Sequence, residues 1–190
     1  FFLLLLVIQV TYHFFQKDNG VFDAQVSKYF ELPAQVSQLA NRPWTIFTYM
    51  FSDTGVLHFI SNMLWLWAFG FILQELTGNK KLIPIYIYGG LVGALFFIII
   101  NYSIPSLRFN IGSTALLGAN ASIMAMAVAT TVLAPNFRFF RNIGRGIPIW
   151  VLTLIYVLID SAGIATSGAA YSIAHLGGGF AGLLFVYLLR

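Results

Sequence analysis

Six apolar runs, each near the length a helix needs to cross about 30 Å of hydrocarbon, divide this sequence and leave little else to fold. They cover Phe1–Phe15, Val56–Leu73, Leu82–Asn101, Gly112–Ala134, Ile143–Ile164 and Ala169–Leu189. Hydrocarbon offers no water to a bare peptide N–H or C=O, so each run is expected to be a helix that closes its own hydrogen bonds. Charged residues make up 8% of the chain, against about a quarter in soluble domains. That is too few to coat a water-facing surface. The expected class is all-α: a polytopic six-span bundle forming a single domain over residues 1–190, without repeats or low-complexity tracts.

The first run is read as a truncated span. It is not a secretory leader, because no basic segment precedes it and no small-residue cleavage site follows. The longest connection, Gln16–Gly55, mixes Asp18, Asp23, Lys28, Glu31 and Arg42 with Phe22, Tyr29, Phe30 and Trp44, and Pro33 and Pro43 interrupt it. Such a mixture predicts a structured loop or short amphipathic helices lying in the interface.

Loop charge sets orientation. If the first span starts inside, Lys80, Lys81, Arg138, Arg141, Arg145 and Arg190 fall on the inner side, with Glu75 as the only acid there. The outer side then takes Lys17, Lys28, Arg42, Arg108 and the other five acids. The arrangement is N-in and C-in, with the long loop outside and the arginines at lipid headgroups. A net charge of +4, carried by scattered basic residues, gives no nucleic-acid footprint.

Polar residues inside the spans are few. His58 and Asn62 lie four apart at the start of the second run, on one helix face. At membrane depth such a pair is either glue between helices or part of a site. His175 lies in the sixth run, followed by Gly178 and Gly182, whose spacing lets another backbone approach closely. The fourth run presents a matching small surface: Ala115, Gly118, Ala119, Ala121, Ala125 and Ala129. The two helices are therefore expected to be close neighbours, with His175 facing the stretch from Gly118 to Ser122. Glu75 and Gly78 mark the end of the second helix.

Five patterns in order carry a resemblance: Trp44-Thr45-Ile46-Phe47-Thr48, His58-x-x-x-Asn62, Glu75 shortly before Gly78, Gly118-Ala119-x-Ala121, and Ala174-His175-x-x-Gly178. In sequence and spacing they resemble the rhomboid family of intramembrane serine proteases. The resemblance implies a serine–histidine dyad in a wet cavity open to the outer side. It makes His175 the general base, and it gives oxyanion and substrate contacts to His58, Asn62, Gly118, Ala119 and the backbone N–H at position 120. Base-activated attack and preorganised donors are the physics of acyl transfer in general. Transmembrane segments of other proteins, met within the bilayer, are the implied substrates or clients. A bacterial cytoplasmic (inner) membrane is the implied location.

The nucleophile position departs from the pattern: Asn120 stands where the family has serine. A carboxamide cannot form an acyl ester, although its NH₂ can donate to a ring nitrogen of His175. A catalytically impaired pseudoprotease is therefore expected. The alternative is an active endopeptidase using Ser122, although two helical steps turn that side chain by about 200° from position 120. Ser113 and Thr114 lie nearer the loop, and Ser61 and Ser172 suit interhelical hydrogen bonds or loop capping. Thr45 leaves the outer loop without an arginine anchor common in the family. Ser52 replaces a polar loop residue, and Met124 stands where an aromatic ring often packs.

Other classes find less support. Axial ligation of a metal or haem by His58 and His175 is conceivable, but no carboxylate lies near either in sequence, His13 is remote and cysteine is absent. No cofactor and no metal are expected. A transporter would show inverted repeats or paired broken helices. Asp160 is read as an interfacial residue rather than a catalytic one.

Overall fold

The computed structural model describes residues 26–139, 146–162 and 168–188. Five helices dominate: α3 (Val56–Thr77), α4 (Asn79–Ser103), α6 (Asn120–Leu133), α7 (Ile149–Ala162) and α8 (Ala169–Leu188). Short helices α1 (Val36–Asn41), α2 (Thr45–Thr48) and α5 (Pro105–Arg108) lie in the connections. Two small antiparallel ladders complete the described residues: β1 (Leu32–Pro33) with β2 (Ala115–Leu116), and β3 (Arg138–Phe139) with β4 (Ile147–Pro148). Among the described residues, α3, α4 and α8 are long and apolar enough to cross a membrane, while α6 and α7 are shorter. The first predicted span, with His13, lies outside the described residues, as do Arg141, Arg145 and Arg190.

The second helix runs to Thr77, four residues beyond its predicted end, and stops at Gly78, whose φ of 73° takes the chain out of the right-handed helix. The fourth departs most from expectation. Residues 112–119 are loop and strand rather than helix, and α6 spans only 14 residues. Its start is fixed by Gly118 at φ 109°, a conformation that favours glycine. At about 1.5 Å per residue, α6 is some 21 Å long, too short to face lipid from end to end. It does not need to. Ile123, Met124, Ala125, Met126 and Ala127 are all buried, because the other helices enclose it.

Small residues make that enclosure possible. A Cβ on Gly178 or Gly182 would sit 2.1 Å from the Ala121 carbonyl oxygen or 2.0 Å from that of Ala125. On the opposite side, a Cβ on Gly93 or Gly89 would lie 2.4 Å from the Cβ of the same two alanines. One ridge of α6 is thus held between glycine tracks on α8 and α4. The first track is legible in the sequence; the second, Gly89-x-x-x-Gly93, has the same spacing.

The described part of the connection before α3 is a structured loop with short helices, tied down at several points. Trp44 Nε1 donates to the Tyr29 carbonyl at 2.9 Å, and Tyr49 Oη donates to the Gly90 carbonyl at 2.6 Å. Arg42, from within the same loop, reaches the Lys28 carbonyl and Gln38 Oε1. It supplies a guanidinium anchor that the residue at position 45 does not. Thr45 is instead buried, its hydroxyl donating to the Arg42 carbonyl at 2.7 Å.

Candidate functional site

Where the first turns of α3 and α6 meet α7 and α8, a cavity of about 240 Å³ gathers His58, Asn62, Asn120, Asp160, Ser172 and His175. Each member is delivered by a local feature. Asp53 accepts from the Gly55 N–H at 3.0 Å, shaping the turn that starts α3. The same carboxylate, through Oδ2, receives His58 Nδ1 at 2.7 Å and Asn62 Nδ2 at 3.3 Å. The i, i+4 pair read from the sequence is therefore held by one buried aspartate from the preceding loop. Gly118 must be small: a Cβ there would meet the His58 ring at 2.9 Å. Its N–H donates to the Tyr49 carbonyl at 3.0 Å, which fixes how α6 begins.

Asn120 takes a different partner from the one expected. Its Nδ2 lies 3.0 Å from His58 Nε2, and no hydrogen bond joins it to His175. The reason is steric and chemical together. Asn120 opens α6 on the side facing α3, and Asp53 has already claimed the Nδ1 proton of His58, leaving Nε2 as an acceptor. His175 turns instead to Asp160 on α7, with Nδ1 2.5 Å from Oδ1. Ser172, one turn before His175, donates its hydroxyl to the Asp160 backbone carbonyl at 2.9 Å, an interhelical bond of the kind expected of it.

Two readings from the sequence are corrected here. Both cavity histidines have a carboxylate in contact, where the sequence reading gives neither one. Asp53, five residues before His58 at a helix start, was a readable signal; Asp160 was not, because folding alone brings it to His175. Asp160 is accordingly not a merely interfacial residue: its side chain is 12% exposed and bonded within the cavity. Among the described residues no group of three or more His, Cys, Asp or Glu side chains is disposed to hold a metal.

The remaining hydroxyls lie elsewhere. Ser122 is fully buried and faces α4, its Oγ 3.9 Å from Met50 Sδ and 2.9 Å from where a Cβ on Gly90 would be. The half-turn computed from helix geometry holds, and this hydroxyl does not line the cavity. Ser113 and Thr114 both donate to the Asn110 carbonyl in the loop. Ser61 lines the cavity rim. Ser52 is buried and donates to the Thr48 carbonyl at 2.8 Å. Ala119 is buried at the N-terminal boundary of α6, and Met124 packs against Gly179 of α8.

A wider groove of about 920 Å³ opens between α3 and α4, lined by Met63, Trp67, Phe71, Ile83 and Tyr86 and meeting the small cavity at Asn62. The faces of α3 and α7 pack differently. Tyr156 of α7 packs against Trp65 and Phe69 of α3, with ring centroids 5.1 and 6.1 Å apart, so the middle parts of α3 and α7 are in contact.

Comparison with known proteins agrees with this architecture. A family model described as the Rhomboid domain matches residues 40–190. Inactive rhomboid-related protein 2 of Caenorhabditis elegans is 31% identical over 150 residues, covering 77% of this chain and 40% of that protein. RHOMBOID-like protein 1 of Arabidopsis thaliana is 28% identical over 149 residues, covering 77% of this chain and 35% of that protein. Inactive RHOMBOID-like protein 8 of the same plant is 26% identical over 121 residues, covering 53% and 34% respectively. The chain spans less than half the length of these relatives. A glycine-clasped central helix that begins beside two histidines, and a domain model matched over residues 40–190, lead to one assignment: the chain belongs to the rhomboid family.

Proposed function

We propose that this domain is a rhomboid-type intramembrane serine protease scaffold that has lost its nucleophile and acts as a pseudoprotease, binding transmembrane segments of client proteins without cutting them. One observation carries the reading. The side chain at position 120, where the resemblance requires a hydroxyl, is a carboxamide hydrogen-bonded to His58 Nε2 at 3.0 Å. That bond has two consequences. No atom at position 120 can form an acyl ester, and the ring nitrogen of His58 that would face an oxyanion is already covered. His175 lines the same cavity as His58, Asn62 and Asn120, which supports reading it as the retained base. Relatives whose names call them inactive support the same direction. No observation favours Ser122 as a substitute, since its hydroxyl faces α4.

The domain is read as six spans, N-in and C-in, in a bacterial cytoplasmic membrane, with the cavity toward the outer side. Loop charge supports the orientation. Its partners are transmembrane proteins and the bilayer, not nucleic acid.

The test is cleavage in proteoliposomes of a transmembrane peptide carrying helix-destabilising residues. No cleavage is expected. Cleavage that disappears in His175→Ala would overturn the reading.

A further inference from the structure

Both imidazoles of the cavity are gripped from behind by an aspartate, and the two grips have different consequences. At His58 the nitrogen left facing the cavity is covered by Asn120. At His175 the partner is Asp160, 15 residues away on the neighbouring helix, with Nδ1 to Oδ1 at 2.5 Å and side chains only 9% and 12% exposed. Asp160 is itself held in place, because Ser172 donates to its backbone carbonyl from one turn before His175. Two contacts from α8 therefore fix one residue of α7.

An ionised carboxylate accepts hydrogen bonds and donates none, so the ring proton must sit on Nδ1. Nε2, the nitrogen away from Asp160, then keeps its lone pair. A charged acceptor makes that bond shorter and stronger than a neutral one. A neutral imidazole without such a partner distributes its proton between both nitrogens, and only the Nδ1–H form is a base at Nε2.

The geometry points to Asp160 as a positioning residue for His175, a third member of the site supplied by the adjacent span, which fixes the ring in the tautomer that a base requires. This goes beyond the serine–histidine dyad implied by the resemblance. It deepens the proposed function and rests on its reading of His175 as the base. The arrangement also distinguishes the two histidines: both are oriented by carboxylates, but only the ring of residue 175 is left without a second protein partner among the described residues.

The tautomer is directly measurable by ¹⁵N NMR of the full chain in lipid bicelles with ring-labelled histidine, the three signals being assigned through His13→Gln and His58→Gln. His175 is expected as the Nδ1–H form in the unmodified protein. Asp160→Asn is expected to turn it to the Nε2–H form, because a carboxamide NH₂ then faces Nδ1, and Asp160→Glu is expected to keep Nδ1–H. An Nε2–H signal from the unmodified protein overturns the proposal, whether or not any variant folds. So does an unchanged tautomer in folded Asp160→Asn. In an Asn120→Ser background that cleaves substrate, adding Asp160→Asn should lower kcat by about 10²–10⁴-fold with little change in KM; an unchanged kcat overturns the assignment. An inert, folded Asn120→Ser counts against the reading that position 120 alone is impaired, and the NMR result still decides the role of Asp160.

Discussion

Asn120 Nδ2 lies 3.0 Å from His58 Nε2, so the first residue of α6 is tied across the cavity to the first turn of α3. His58 Nδ1 is in turn 2.7 Å from Asp53, which makes a continuous carboxylate–imidazole–carboxamide chain from the loop before α3 to the central helix. Every link has its donor and acceptor roles set by the one before it. An amide at position 120 thereby becomes a structural link at the place where a protease needs a reactive one.

Exchanging that amide for a hydroxyl should open the chain. Asn120→Ser is expected to gain slow cleavage of a transmembrane substrate, read by gel assay in proteoliposomes. Within the revertant, His175→Ala should cost about 10²–10⁴-fold in kcat, the usual worth of a general base. A folded revertant with no activity would show that the site has decayed beyond position 120.

Ser122 should be silent in the same assay. Its hydroxyl is buried against α4, so Asn120→Ser with Ser122→Ala is expected to cleave as the single revertant does. The unmodified protein should take up no fluorophosphonate label. Labelling mapped to Ser122 would restore it as a nucleophile.

Asp53 is expected to matter for stability. Asp53→Ala leaves the Gly55 N–H, His58 Nδ1 and Asn62 Nδ2 without their shared acceptor. An unsatisfied buried donor costs about 1–3 kcal/mol, so thermal unfolding in detergent should move clearly downward. An unchanged Tm would mean that the carboxylate is not organising the turn.

Two glycines should respond in opposite order to what their backbone angles suggest. Gly78 has φ 73°, yet a Cβ there meets nothing within 4 Å; Gly182 has helical φ, yet its Cβ would lie 2.0 Å from the Ala125 carbonyl oxygen. Gly78→Ala should cost about 1 kcal/mol. Gly182→Ala should cost about 1–3 kcal/mol or prevent folding, because two backbones must separate. Comparable folded yields for the two variants would contradict the packing described here.

Tyr49 offers a pH test. Burial, and then the neighbouring Tyr86, hold its hydroxyl well above the ordinary tyrosine pKa. The folded protein keeps a proton that the unfolded chain releases near pH 10, so this contribution is constant below about 10 and stability declines above it. Tyr49→Phe should flatten that alkaline decline, measured as Tm against pH. It should also cost about 1 kcal/mol at neutral pH through the lost bond to the Gly90 carbonyl.

Much of the site is legible in the sequence, for reasons that can be named. His58 with Asn62 and Gly178 with Gly182 are separated by one helical turn, and helix geometry alone puts each pair on one face. The angle that excludes Ser122 comes from the same arithmetic. Gly78 could be read as a helix end because a residue with positive φ stops a helix locally. The start of α6 could not be read this way, since the apolar run continues through residues 112–119. The chain there leaves the helix for two non-local reasons, the pairing of β2 with β1 and the bond from Gly118 to Tyr49.

What the sequence determined by itself was the solvent, the helical class and the identity of the groups facing one another, because apolar length and residue spacing are local properties. Which group bonds to which was decided only in three dimensions. Asp160 and His175 are 15 residues apart, and Asn120 and His58 are 62 apart. At those separations no local rule sets a partner: the two rings sort between two carboxylates and one amide according to where packed backbones put them, and donors must then find acceptors within about 3 Å. Glycine-lined contacts bring the helices that close, and the pairing of the polar groups follows from it.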